Sequence, residues 1–243
     1  VGIVLKLLDD VRWRGTPVVG ERPRALLAAL AAGNGRPVRT EELIERVWGE
    51  EIPANATKSL QVLVSRTRSA CGEEAIVREA VGYRLGVKPV EVDSVQLGAL
   101  VREARAALAL DAAGAAALAR EAIALAAGLL NTPDEDAGPL SEIRRSAKDD
   151  AGAATVILAR ALSRTGRHAE ALEPLIDAAR ERPADEALLA DLLRSETAIL
   201  GPAAALERYE GYRRELRERL GTNPGELLQR VQRELLALDR PVR

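Results

Sequence analysis

Apolar and polar positions follow two different periods along the chain. Over the first 20 residues the apolar positions come in short β-like runs, 2–7, 11–14 and 17–19, parted by Asp9-Asp10 and Arg14-Gly15-Thr16. This predicts a three-stranded antiparallel sheet. A helical period then begins: Pro23 suits a first turn, and Leu26, Leu27 and Leu30 form one apolar face. Gly33-Asn34-Gly35 ends that helix. Thr40-Glu41-Glu42-Leu43 starts the next, with Thr40 as N-cap and the two acids near the positive helix end. That second helix stops around Trp48-Gly49. A third is expected over about 55–71, then a strand pair over 75–79 and 82–86. From Ser94 onward the pattern is helical, punctuated by Gly128, a loop over 131–139, Gly166, Pro183, Gly201 and 221–224.

The helical half carries an internal repeat. Glu170-Ala171-Leu172 recurs 34 residues later as Ala204-Ala205-Leu206, and Gly166 and Gly201 lie 35 apart. A helix–turn–helix unit of about that period is the tetratricopeptide signature. An earlier copy at Ala116-Ala117-Leu118, offset by 54, fits the same unit with about 20 residues inserted.

The third helix changes the picture. The whole chain of 243 residues has 35 Lys and Arg against 37 Asp and Glu, a net charge of −2 that by itself predicts no polyanion partner. Between Ile52 and Gly72, however, stand Lys58, Arg66 and Arg68 and no acid. On a helical wheel Leu60, Leu63, Val64, Thr67 and Cys71 form one stripe, which should face a core. Lys58, Gln61, Val62, Ser65, Arg66 and Ser69 fall on the other side. Cations, an amide, hydroxyls and one small apolar group without a carboxylate suit a major groove: Arg for guanine edges, Gln for adenine, Val for the thymine methyl. Thr57, Lys58 and Ser59 at the helix start could hold phosphates beside the free N–H groups there. A solvated helix face is the plain alternative.

Strands, three helices and a hairpin follow the order of a winged helix with an extra leading sheet. Residues 1 to about 90 resemble the winged-helix domain of OmpR/PhoB-type response regulators, and more closely that of the antibiotic regulatory proteins (SARP family) of Streptomyces and relatives. The residues that carry this are Arg24-Ala25-Leu26-Leu27, Val47-Trp48-Gly49-Glu50, the run from Ser59 to Arg68, and Gly82-Tyr83-Arg84-Leu85. The second half resembles the bacterial transcriptional activation domain of that family, through Gly166-Arg167-His168-Ala169-Glu170-Ala171-Leu172 and the closing turn Arg219-Leu220-Gly221-Thr222-Asn223-Pro224-Gly225-Glu226-Leu227.

The expected architecture is mainly α: residues 1–92 as a winged helix with an N-terminal antiparallel sheet and a C-terminal hairpin, and 93–243 as an all-α, tetratricopeptide-like domain. The resemblance implies an activator that binds direct repeats in double-stranded DNA as a dimer, contacts RNA polymerase or its sigma factor, and controls biosynthetic genes. It implies Arg66 on a base or deep phosphate, Lys58 and Thr57 on the backbone, and Arg68 on phosphate or in an intradomain ion pair. Arg84 reaches phosphate from the wing, where Tyr83 is core. Trp48 is read as core and His168 as a surface or capping residue. Two departures stand out. Arg78 and Glu79 occupy the places of the family's Thr-Arg, whose Arg reaches the minor groove. The family's Trp near Gly128-Leu129 is missing.

Composition excludes other classes. A protein-interaction scaffold whose winged helix only dimerises stays open. An enzyme is poorly supported: there is no Gly-Lys-Ser/Thr phosphate loop, no Gly-x-Gly-x-x-Gly, and a single His. One Cys forbids an internal disulfide and fits a reducing cytoplasm, and zinc sites built on Cys and His are ruled out. No cofactor is expected. Asp134-Glu135-Asp136 reads as a solvated turn. Aromatic residues make up only 2% of the chain, which argues against recognition of single strands by stacking. No segment has the length of a membrane span. Lys6, Asp9 and Asp10 break any signal-peptide core, and the absence of an initial Met reads as a trimmed start.

Overall fold

Leu5 faces Trp13 across the first pair of strands, and both are buried, because alternation puts every second residue on one side of a sheet. The computed structural model describes residues 2–129 and 138–238. Its N-terminal sheet has the expected three antiparallel strands, β1 (Leu5–Lys6), β2 (Arg12–Trp13) and β3 (Thr16–Pro17), in that order. Arg14 and Gly15, at φ 47° and 83°, make the tight two-residue turn between β2 and β3.

Three helices follow: α1 (Glu21–Ala32), α2 (Thr40–Trp48) and α3 (Ala56–Cys71). Helix α1 begins two residues before Pro23, and Arg39 rather than Thr40 holds the N-cap position of α2. A two-residue strand, β4 (Val38–Arg39), precedes α2 and was not expected. It pairs with β6 (Gly82–Leu85), which pairs with β5 (Ile76–Glu79), so the expected hairpin is part of a three-stranded sheet in the order β4-β6-β5. Two residues are too few to show a period of two. The pairing depends on Gly82: a Cβ there would lie 1.9 Å from the Val38 carbonyl oxygen.

The remaining elements are α4 (Asp93–Ala107), α5 (Ala112–Leu125), α6 (Pro139–Arg164), α7 (His168–Glu181), α8 (Glu186–Leu200), α9 (Pro202–Leu220) and α10 (Glu226–Leu238). The described residues fall into two compact units, the first from 1–101 and 121–152, the second from 102–120 and 153–243.

In the first unit Leu26, Leu27 and Leu30 of α1 meet Leu43 and Val47 of α2, Leu60, Leu63 and Val64 of α3, and Ile76, Tyr83 and Leu85 of the wing. Leu140 and Ile143, from the start of α6, join this core. Arg144, one residue on, donates to the carbonyl oxygens of Leu7 and Asp9. The buried Asp93 carboxylate accepts the Leu7 and Leu8 N–H groups at 2.9 and 3.2 Å and that of Ser94 at 2.7 Å. These bonds fasten the N-terminal strands to the start of α4. Trp48, expected inside, packs against the core but stays half-buried, with the Arg22 guanidinium 6.0 Å from its ring centre. Leu129 is fully buried, beside the place of the missing Trp.

The second unit shows what the 34-residue repeat encodes. Ala171 in α7 and Ala205 in α9 are both fully buried near the start of their helices. Gly166 and Gly201 stand before those helices with positive φ. The core joins Leu172 and Leu175 of α7, Leu188 and Leu192 of α8, Tyr209 of α9, and Leu228 and Val231 of α10. It also encloses a charge. Asp191, with no exposure, receives the guanidinium groups of Arg160 at 2.8 Å, Arg164 at 3.0 Å and Arg194 at 3.4 Å. Ser163 donates to the Asp191 carbonyl oxygen, Ser195 to Ser163, and His168 Nδ1 lies 3.2 Å from Ser195 Oγ. His168 is thus half-buried in a polar network at the helix junction. Asp134, Glu135 and Asp136 lie outside the described residues.

Candidate nucleic-acid interface

Helix α3 is 16 residues long, about 24 Å at 1.5 Å per residue, enough to lie along a groove. Asn55 caps it, its side-chain oxygen accepting the Lys58 N–H at 3.2 Å. Its buried residues are Leu60, Leu63, Val64, Thr67 and Cys71, the stripe that the apolar period predicts. Thr67, the polar member, donates to the Leu63 carbonyl oxygen at 2.9 Å, so its burial leaves no donor unpaired. Burial pushes the Cys71 thiol pKa up, which keeps it protonated.

Anchoring that stripe fixes the opposite face. Thr57, Lys58, Gln61, Val62, Ser65, Arg66 and Ser69 are all exposed. Val62 is 44% exposed, which is unusual for a valine in a helix that buries five of its residues. Among the described residues the side chains of Lys58 and Arg66 make no ion pair. The face therefore carries two uncompensated cations and no carboxylate.

The structure sorts these side chains into two flanks. Thr57 and Gln61 line a cleft of about 490 Å³ that α3 shares with the wing, where Arg78 and Arg39 also stand. Lys58, Val62 and Arg66 line a second hollow of about 510 Å³ against Arg22 and Trp48. Arg39 is exposed and was missed in the sequence, since it lies on the strand too short to leave a pattern. Arg22 was missed as well. It donates to the Val47 carbonyl oxygen and pairs with Glu51 at 2.9 Å, so it braces the turn between α2 and α3.

Two cations marked by the sequence are engaged inside the domain. Arg68 donates from Nε and Nη2 to the Ile76 carbonyl oxygen, at 2.9 and 2.7 Å. Arg84 pairs with Glu79 at 2.8 Å and donates to the Leu85 carbonyl oxygen at 3.1 Å. Glu79, the acid at the family's wing-arginine position, is thus matched by a neighbouring guanidinium. Arg78 is exposed, opposite the buried Tyr83 across the hairpin.

The geometry is that of a helix-turn-helix reader: a second helix anchored below, polar and cationic above, with a hairpin at its side. Known proteins agree. Residues 18–85 match the family described as transcriptional regulatory protein, C terminal, and residues 92–236 match the bacterial transcriptional activator domain. Regulatory protein AfsR of Streptomyces griseus is 30% identical over 96% of this chain, which spans 24% of that protein. Transcriptional regulator RedD of Streptomyces coelicolor is 30% identical over 95% of this chain, which covers 68% of RedD. The solved structure of Mycobacterium tuberculosis EmbR, in complex with a low-affinity phosphopeptide, shares the fold with a TM-score of 0.69 at 24% identity, over 98% of this chain and 66% of that one. The chain accordingly belongs to the SARP family of transcriptional regulators, which join an OmpR/PhoB-type DNA-binding domain to a bacterial transcriptional activator domain.

Proposed function

We propose that the chain activates transcription of biosynthetic genes by reading direct repeats in double-stranded DNA with α3. The observation that carries this reading is the carboxylate-free outer face of α3, held outward by its five buried residues. Arg66 and Gln61 take base edges, Val62 a thymine methyl, and Ser65 a base or the backbone. Thr57 and Lys58 take phosphates at the capped helix start. Arg78 approaches from the wing. Arg68 and Arg84 serve as struts that hold the helix and the hairpin in register. Tandem repeats would seat two copies on one face of the duplex, and the helical half would meet RNA polymerase or its sigma factor. The matches to the two transcriptional-regulator domains support a contact with DNA and with the transcription machinery.

The test is a gel shift with promoter fragments across a salt series. Each phosphate neutralised adds about 0.9 to the slope of log affinity against log salt. A steep slope and a footprint on repeated half-sites are expected. Binding that is absent at low salt overturns the reading and favours a scaffold.

A further inference from the structure

The cleft of about 490 Å³ between α3 and the wing is bordered by three strands and two helix starts. In the sheet order β4-β6-β5 the central strand contributes Tyr83, and the outer strands contribute Arg39 and Arg78. Arg78 is a register partner of Tyr83, and Arg39 follows the other partner, Val38. Neighbouring strands lie about 4.8 Å apart, so the two arginine backbones stand about 10 Å from each other. Two side chains as long as these can meet on one small anion between them.

Tyr83 belongs to the core and is only 6% exposed. Its hydroxyl has no hydrogen-bond partner among the described residues. The polar side-chain atoms sealed from solvent without a partner are Asp9 Oδ1, Trp13 Nε1 and Glu196 Oε2, and the Tyr83 hydroxyl is not one of them. Solvent therefore reaches it, and its residue lines the cleft. The result is a donor on a ring that the core already holds still, so binding through it costs little side-chain entropy.

The charges around the cleft favour an anion. Arg39, Glu41, Arg78 and Glu79 are its charged residues. Glu79 is matched by Arg84 at 2.8 Å. Arg39 and Arg78 are exposed, and among the described residues neither makes an ion pair. Glu41 offsets one of them, which leaves one positive charge. Thr40 and Glu41 open α2 and Thr57 opens α3, so the positive ends of two helices border the same space. Thr57 and Gln61 also belong to the outer face of α3, so the cleft continues that face.

We propose that this cleft holds one backbone phosphate of bound duplex DNA, with Arg39, Arg78 and the Tyr83 hydroxyl as its donors. The inference rests on the reading of α3 as the helix that enters the major groove, and adds Arg39 and Tyr83 to it. The two guanidinium groups supply charge, and the hydroxyl supplies a fixed direction. A phosphate carries one negative charge, which equals the positive charge left over in the cleft. Such a contact carries no sequence information and sets the register of α3 along the groove.

The test uses the intact chain and a double-stranded promoter fragment selected by the gel shift above. Tyr83→Phe keeps the ring and removes only the hydroxyl. It should melt at the parent's temperature and bind the fragment about tenfold more weakly. Its salt slope should equal the parent's, since no charge is lost. Arg39 makes no capping bond to α2, so Arg39→Ala leaves that helix start intact. This variant should bind more weakly and lower the salt slope by about 0.9. Combined, the two changes should cost less than the product of their separate effects, because they act on one phosphate. Tyr83→Phe binding as tightly as the parent overturns the proposal. So does a lower melting temperature for Tyr83→Phe, which would reveal an internal partner for the hydroxyl. An unchanged slope for Arg39→Ala, or fully multiplicative losses, overturns it too. In each of these cases a parent that binds steeply keeps the reading of α3. A parent that binds no promoter DNA at low salt overturns that reading, and the phosphate site with it.

Discussion

The Arg68 guanidinium clasps the carbonyl oxygen of Ile76, so the end of α3 is tied to the first strand of the wing. A hydrogen bond from a charged group to a buried acceptor contributes about 1.5–3 kcal/mol. Arg68 is partly exposed, which places the effect of Arg68→Ala near the lower end. The expected result in urea denaturation is a loss of about 1–2 kcal/mol. Arg66→Ala touches no internal partner and should leave stability within about 0.5 kcal/mol of the parent. On a specific DNA site the order reverses. Arg66→Ala should cost about 1–3 kcal/mol of binding if it reads a base. Undiminished specific binding by that variant would remove Arg66 from the interface.

The wing makes a second prediction. Glu79 places an acid on the hairpin that we propose approaches DNA, and it also holds Arg84. Glu79→Ala removes the acid and releases the cation. DNA affinity should rise, and the salt slope should steepen by about one unit for each further phosphate that the hairpin neutralises. A gel-shift salt series on parent and variant checks this. An unchanged slope would mean that the hairpin stays off the backbone.

Gly82→Ala tests the strand that the sequence concealed. Its Cβ would lie 1.9 Å from the Val38 carbonyl oxygen and 2.9 Å from its carbon, so β4 must move away from β6. Overpacking of this kind costs about 1–3 kcal/mol. Thermal melts should show the loss, and hydrogen exchange should show it at Val38 and Arg39 first.

Asp93 gives the stability a pH dependence of definite sign. Burial pushes its carboxyl pKa up to about 6, against the pull of the three N–H groups and with a contribution from Asp9. The unfolded value is about 3.9, so the fold favours the protonated acid. The group's contribution to stability is therefore fully present below about pH 4 and is lost as pH rises through 6. Asp93→Asn loses some of the bonds but has no such titration. The stability of the parent relative to this variant should fall between pH 4 and 7 by an amount on the order of 2–3 kcal/mol. Denaturation curves for both proteins across that range measure it, and parallel profiles would refute it.

In the helical unit, Asp191→Ala removes the common acceptor of three arginines. Breaking a buried ion pair from one side costs about 3–5 kcal/mol. Circular dichroism should show a large drop in the melting temperature.

The sequence made α3 legible in detail because a single stripe of five residues, Leu60 to Cys71, had to be buried, and that choice fixes every other side chain on the helix. The helix repeat was legible for a similar reason, through Ala171 and Ala205 at equivalent close-packed positions. What escaped was short or distant. Strand β4 is two residues long, and its register partners Tyr83 and Gly82 are more than 40 residues away in sequence. The fate of Arg68 and Arg84 could not be read from charge, since a cation in a sequence looks the same whether it meets a phosphate or a carbonyl oxygen. Asp93 left no pattern either. Its partners are the N–H groups of Leu7 and Leu8, which carry no side-chain signature.

The contribution of Leu140, Ile143 and Arg144 to the first unit bears on how this regulator can be divided. These residues follow α3 by about 70 positions, yet two of them complete its core and the third holds the leading strands. A chimera that carried only residues 1–92 of this chain would transplant α3 and leave part of its foundation behind. The first unit of this chain is thus a discontinuous module, and a graft that respects the fold must carry both segments.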